Sequence, residues 1–129
     1  MSNQTNTIAD VQVLQGTIGS LVNLNGPYVN FTLVVEEDTH KVHGTVKIYT
    51  NPPSEKPYTG NVTGTVYATG LAPFVKGITI QGLIPSNNPL TPIEFPFNGF
   101  MQLKADNTGV GGFNFHGEHL ENLPVEIKF

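Results

Sequence analysis

From position 41 to 50 apolar or small residues occupy every second place, with Val42, Gly44, Val46 and Ile48 in one set and His43, Thr45, Lys47 and Tyr49 in the other. The segment 60–69 repeats the rule, Val62, Gly64, Val66 and Ala68 alternating with Thr63, Thr65, Tyr67 and Thr69. A period of two puts one face against a core and the other in water, the mark of an antiparallel sheet. Phe31, Leu33 and Val35 extend the apolar set, as do Ile78 and Ile80, Phe113 and Phe115, and Val125, Ile127 and Phe129. The pattern predicts strands near 8–16, 28–36, 41–50, 60–69, 76–84, 94–105, 110–117 and 123–129. No window of ten or more residues carries a helical period, and fourteen glycines and ten prolines leave little room for one.

The connectors have their own chemistry. Asp106-Asn107-Thr108-Gly109 predicts a hairpin turn, because Asn and Gly tolerate positive φ. Glu36 to His40 is short and polar enough to join neighbouring strands. The proline-rich stretches 51–57 and 85–92 cannot pair and are expected to be loops held by their prolines. Gly16, Gly44 and Gly64 recur in an apolar-x-Gly-Thr-apolar pattern without a fixed period. Glycines inside paired strands let a sheet curve sharply. The fold expected is therefore all-β, about eight antiparallel strands in a meander forming a closed or nearly closed barrel, with a β-sandwich as the alternative. Residues 1–7 are expected to be a flexible tail and 8–129 a single domain.

Composition narrows the partners. The chain has six lysines, no arginine and a net charge of −4, so it lacks the basic stripe and guanidinium forks that nucleic acids require. An anionic membrane surface is disfavoured on the same ground, and no apolar stretch approaches the roughly 20 residues that span a bilayer. Without cysteine there is no disulfide framework and no thiolate site. The start, Met1 to Thr7, lacks the charged and apolar regions of a signal peptide, which makes the cytoplasm the expected location.

Candidate chemistry is sparse. His116-Gly117-Glu118-His119 and the pair His40 and His43 hold metal-ligand residue types, yet they match no ordered ligand motif, and a solvated turn is expected around His116 and His119. No metal and no cofactor is expected. The carboxylates Glu36, Glu37, Asp38, Glu94, Glu118, Glu121 and Glu126 read as surface charges, since nothing singles out a catalytic pair. The four serines sit in no nucleophile setting. Gly109-Val110-Gly111-Gly112 leads into a strand, so it lacks the helix N-terminus of a phosphate loop and reads as a turn plus a bulge. An outward threonine row could organise water, but its spacing is irregular. The remaining candidate is a ligand patch of Tyr49, Asn51, Tyr58 and Tyr67, aromatic faces and an amide of the kind that hold sugars.

Gly16-Thr17-Ile18-Gly19, Thr32-Leu33-Val34-Val35, Val42-His43-Gly44-Thr45-Val46 and Asn51-Pro52-Pro53 resemble a small bacterial family of uncharacterised all-β domains. The likeness runs to about Gly64. It implies the fold and a bacterial origin, and it transfers no activity and no site residue. The function expected is a non-catalytic interaction domain that pairs with itself or another protein, because low charge leaves strand edges unprotected. A carbohydrate-binding lectin is the first alternative. The second is a barrel enclosing a small apolar ligand, as a carrier, cyclase or isomerase.

Overall fold

Eight antiparallel strands follow one another in the computed structural model, which describes residues 11–19, 27–50, 57–86 and 88–128. They are β1 (Val11–Ile18), β2 (Tyr28–Glu36), β3 (Lys41–Tyr49), β4 (Tyr58–Ala68), β5 (Phe74–Pro85), β6 (Glu94–Lys104), β7 (Thr108–Phe115) and β8 (Glu118–Lys128). Each pairs with the next, and β1 pairs with β8, so the meander closes into a barrel and the sandwich alternative falls away. Among the described residues the closing seam runs from Gln15↔Lys128 to Ile18↔Val125. By comparison β2 and β3 are paired along their whole length, Tyr28↔Tyr49 to Glu36↔Lys41.

The alternation decides which side faces inward. Val42, Val46 and Ile48 of β3, Val62 and Val66 of β4, and Ile78 and Ile80 of β5 enter one core cluster with Phe97, Phe113 and Val125. The side chains between them, among them Thr32, Thr45, Thr63, Gln81 and Asn98, are exposed. The outer face is mixed, since Val13, Val75, Leu83, Phe100 and Val110 are exposed on it as well. No helix among the described residues is long and apolar enough to cross a membrane.

The recurring glycines serve the curvature. A Cβ on Gly16, Gly44 or Gly64 would fall on a carbonyl oxygen of the adjacent strand, that of Glu126, Thr32 or Thr79. Closure at this radius needs strands that approach more closely than a side chain permits.

Boundaries differ from the sequence expectation in one telling place. β7 ends at Phe115 and β8 begins at Glu118, five residues earlier than expected, because the connection is only His116-Gly117. Both residues take positive φ, 53° and 83°. That is the geometry of the tightest hairpin turns, and histidine is among the residues that tolerate it. The bulge expected in the glycine-rich start of β7 lies instead in its partner: between Gly111↔Leu123 and Phe113↔Leu120 the single Gly112 faces Glu121 and Asn122 of β8, and Asn122 takes positive φ, 59°. The expected tail 1–7, residues 8–10, Phe129 and most of the 51–57 loop lie outside the described residues.

Other loops are held by polar contacts. Ser86 N–H donates to the Ile93 carbonyl at 2.9 Å, and Leu90 N–H donates to Asn88 Oδ1 at 2.9 Å. At one mouth Lys76 Nζ donates to Glu37 Oε2 at 3.0 Å and to Gln12 Oε1 at 3.2 Å, tying three strand ends together. At the β6–β7 turn Asp106 Oδ1 accepts from the Thr108 hydroxyl at 2.7 Å and from its N–H at 3.0 Å. These bonds favour the carboxylate, and Asp106 titrates below its ordinary value chiefly through the Thr108 hydroxyl. A depressed carboxylate stabilises the fold above the ordinary aspartate range and ceases to do so as pH falls through its folded value. In an NMR titration the Asp106 midpoint is expected to lie below that of a free aspartate and to rise in Thr108→Val.

Candidate functional site

The two-residue turn after β7 projects His116 over the other barrel mouth. Its ring lies 4.5 Å from Phe95 and 5.9 Å from Tyr58, centre to centre. Beneath it Tyr58 meets Phe115 edge-on at 5.1 Å and Phe95 at 6.0 Å. Edge-to-face pairs of this kind add to the burial of their rings. Together they seal the mouth with an aromatic lid.

Beside the lid an open cleft of about 640 Å³ runs across the outer face of β6, β7 and β8. Phe95, Pro96, Phe115 and His116 supply its apolar wall, and Asn98, Asn114, Glu118 and His119 its polar lining. Parity explains the polar members. Asn98 lies between inward Phe97 and Gly99, and Asn114 between inward Phe113 and Phe115, so both amides point outward. Register then aligns them, since Asn98 opposes Asn114 and Asn114 opposes His119.

The three form a hydrogen-bonded row. Asn114 Nδ2 donates to Asn98 Oδ1 at 2.5 Å, and His119 Nδ1 bonds Asn114 Oδ1. On the other side of the ring His119 Nε2 lies 3.1 Å from Glu121 Oε1, because 119 and 121 share a strand face. Both ring nitrogens of His119 thus have a partner within the protein. Among the described residues no group of three or more His, Cys, Asp or Glu side chains is placed to hold a metal ion.

The sequence-predicted tyrosines are not brought together. Tyr49 lies on the outer face and stacks on Tyr28, directly opposite in β2, at 4.4 Å and 15° between planes. Burial, then the neighbouring Tyr49, raises the Tyr28 phenol above its ordinary value. Tyr58 opposes Ile48 and turns toward the barrel axis, where it joins the aromatic lid. Tyr67 is near the opposite mouth, its ring over Gly77, where an added Cβ would strike it. Asn51 lies outside the described residues. Among the described residues of this patch only Tyr58 touches the cleft residues, through Phe95, Phe115 and His116.

The other histidines are separate. His40 closes the β2–β3 turn at φ 59°, its Nδ1 3.1 Å from the Val66 carbonyl. His43 is exposed on β3, 3.8 Å from Glu36. Sequence reading weighed His116 and His119 as a turn and missed Asn98 and Asn114. The available signal was Phe-Asn-Phe at 113–115 and Phe-Asn-Gly at 97–99, an amide outward between inward residues twice over.

Comparison with curated proteins finds no match. A family match does cover residues 11–119, from β1 into the start of β8, and so extends well past the Gly64 limit of the likeness seen in sequence. The chain belongs to a domain family of unknown function, DUF1842.

Proposed function

We propose that this protein is a non-catalytic carbohydrate-binding domain and that its sugar sits in the β6–β8 cleft. The observation that carries the reading is an apolar wall of Phe95, Pro96 and His116 facing a row of Asn98, Asn114 and His119. A pyranose ring has an apolar face to lay on such a wall and hydroxyls that both donate and accept. Side-chain amides match them: beyond the bonds within the row, Asn98 keeps its two N–H donors, Asn114 keeps one, and each carbonyl oxygen keeps a second lone pair. The filled barrel axis favours this surface cleft over an enclosed apolar ligand.

Asn114 is the central amide, so Asn114→Ala is expected to weaken glycan binding by roughly five- to a hundredfold, the value of one or two hydrogen bonds. Its cost to stability is expected to be only about 1 kcal/mol, since the side chain is half-exposed. A glycan array followed by titration calorimetry and thermal melts measures both. A flat array with the parent protein ends the reading.

A second reading is self-association into a homo-oligomer, or docking of another protein. It is favoured by Leu83, Leu90 and Ile93, large apolar side chains exposed near one barrel end, with Leu90 at 89%. Exposed apolar groups gathered in one region mark interaction surfaces. Sedimentation at high concentration tests it, and a persistent monomer would rule out the homo-oligomer.

A further inference from the structure

We infer that the cleft is one end of a longer track, and that the ligand is an internal stretch of a linear, uncharged polysaccharide; this rests on the carbohydrate reading above. The row Asn98–Asn114–His119 does not stop at β6. Gln81 of β5 directly opposes Asn98, Thr63 of β4 opposes Gln81, and His43 of β3 opposes Thr63. Six successive strands thus place one outward hydrogen-bonding side chain each in a single register line.

That line joins two clefts. The second, about 410 Å³, is lined by His43, Thr63 and Gln81 together with Glu36 and Lys41. Its Gln81 abuts Asn98 of the first across one β-ladder step. Each end of the line finishes in a histidine beside a carboxylate, His43 with Glu36 at 3.8 Å and His119 with Glu121 at 3.1 Å. Between these ends the four side chains are neutral amides and one hydroxyl, which fits an uncharged ligand.

Spacing selects the polymer. Neighbouring strands lie about 4.8 Å apart, so the six positions span about 24 Å along the wall. A 1,4-linked pyranose chain advances by close to one such step per ring. An extended polypeptide advances about 3.4 Å per residue and repeats a face at twice that, out of step with the row. The six strands make up more than half of the closed barrel, so the chain must turn at each glycosidic bond to stay on the wall.

The test is calorimetry on the full chain with β-1,4-glucose, α-1,4-glucose and β-1,4-mannose oligomers of two to six rings. The variant His43→Ala/Gln81→Ala removes exposed groups from the second cleft and leaves the first intact. With one ladder, affinity is expected to rise at least tenfold from the dimer to the hexamer. In the double variant that gain is expected to vanish, so that the hexamer binds no more tightly than the dimer. Binding independent of length would overturn the track and leave the single-cleft reading standing. Binding of extended proline-rich peptides in place of glycans, or no binding to any ladder together with a flat array, would overturn both.

Discussion

Phe97→Ala is expected to remove about 3–5 kcal/mol of stability, the usual result of emptying a fully buried aromatic site. Phe97 is 1% exposed, and its ring lies 6.3 Å from Phe113 and 6.2 Å from Phe115. It fills the space above Gly99, whose missing side chain leaves room for it; a Cβ there would come within 3.2 Å of the ring. Neighbours cannot close such a hole without moving strands, so the cavity term adds to the lost burial. For a domain of this size the loss corresponds to a melting temperature lower by about 10–20 °C. Phe97→Leu retains most of the volume and is expected to cost less than about 2 kcal/mol. Urea unfolding of the two variants measures the difference. A loss below about 1 kcal/mol for the alanine variant would mean that the axis of the barrel is not filled. Phe97 also lies between Pro96 and Asn98, so the cavity is expected to loosen the cleft wall and lower ligand affinity with stability.

The eight strands were legible because each carries its own period. Val42 to Ile48 and Val62 to Val66 face the core where alternation puts them, and Asp106-Asn107 turns where its chemistry predicts. Closure was legible only through Gly16, Gly44 and Gly64, which hint at curvature without naming the strand that comes near. The β7–β8 turn was not, because His-Gly is a rare substitute for Asn-Gly and the flanking residues read equally well as loop. Nor was the cleft. Tyr49 and Tyr58 flank one loop in sequence, yet Tyr49 follows inward Ile48 and so faces out, while Tyr58 pairs with Ile48 and so faces in. Facing across a hairpin depends on register, which the hydrophobic pattern of one strand leaves open. Asn98, Asn114 and His119 come from three strands and meet only through two registers, the second set by the β8 bulge opposite Gly112.

Gly64→Ala is expected to destabilise the barrel by about 3 kcal/mol, although it adds one methyl group and removes nothing. The new Cβ would land on the Thr79 carbonyl oxygen, which is part of the β4–β5 ladder and has no rotamer with which to retreat. Relief requires the two strands to separate, and that strains the facing pairs Thr63↔Gln81, Thr65↔Thr79 and Val66↔Ile78. On the outer face it also pulls on the Thr65–Thr79 hydroxyl bond of 2.9 Å. Against this the substitution removes unfolded-state freedom worth only about 0.4–1 kcal/mol, so the backbone clash wins. Gly60→Ala, on the same strand face, provides the contrast. There the nearest atom is Ile84 Cδ1 at 2.7 Å, the far end of a flexible side chain that can rotate away. Its cost is expected to be within about 1 kcal/mol of zero, the entropy gain offsetting a small repacking loss. Amide hydrogen exchange separates the mechanisms, since Gly64→Ala should speed exchange along β4 and β5 first and Gly60→Ala should leave the ladder protected. Equal losses at the two positions would show that the close approach of β4 to β5 is not what fixes the curvature of the wall, and with it the alignment of Gln81 beside Asn98.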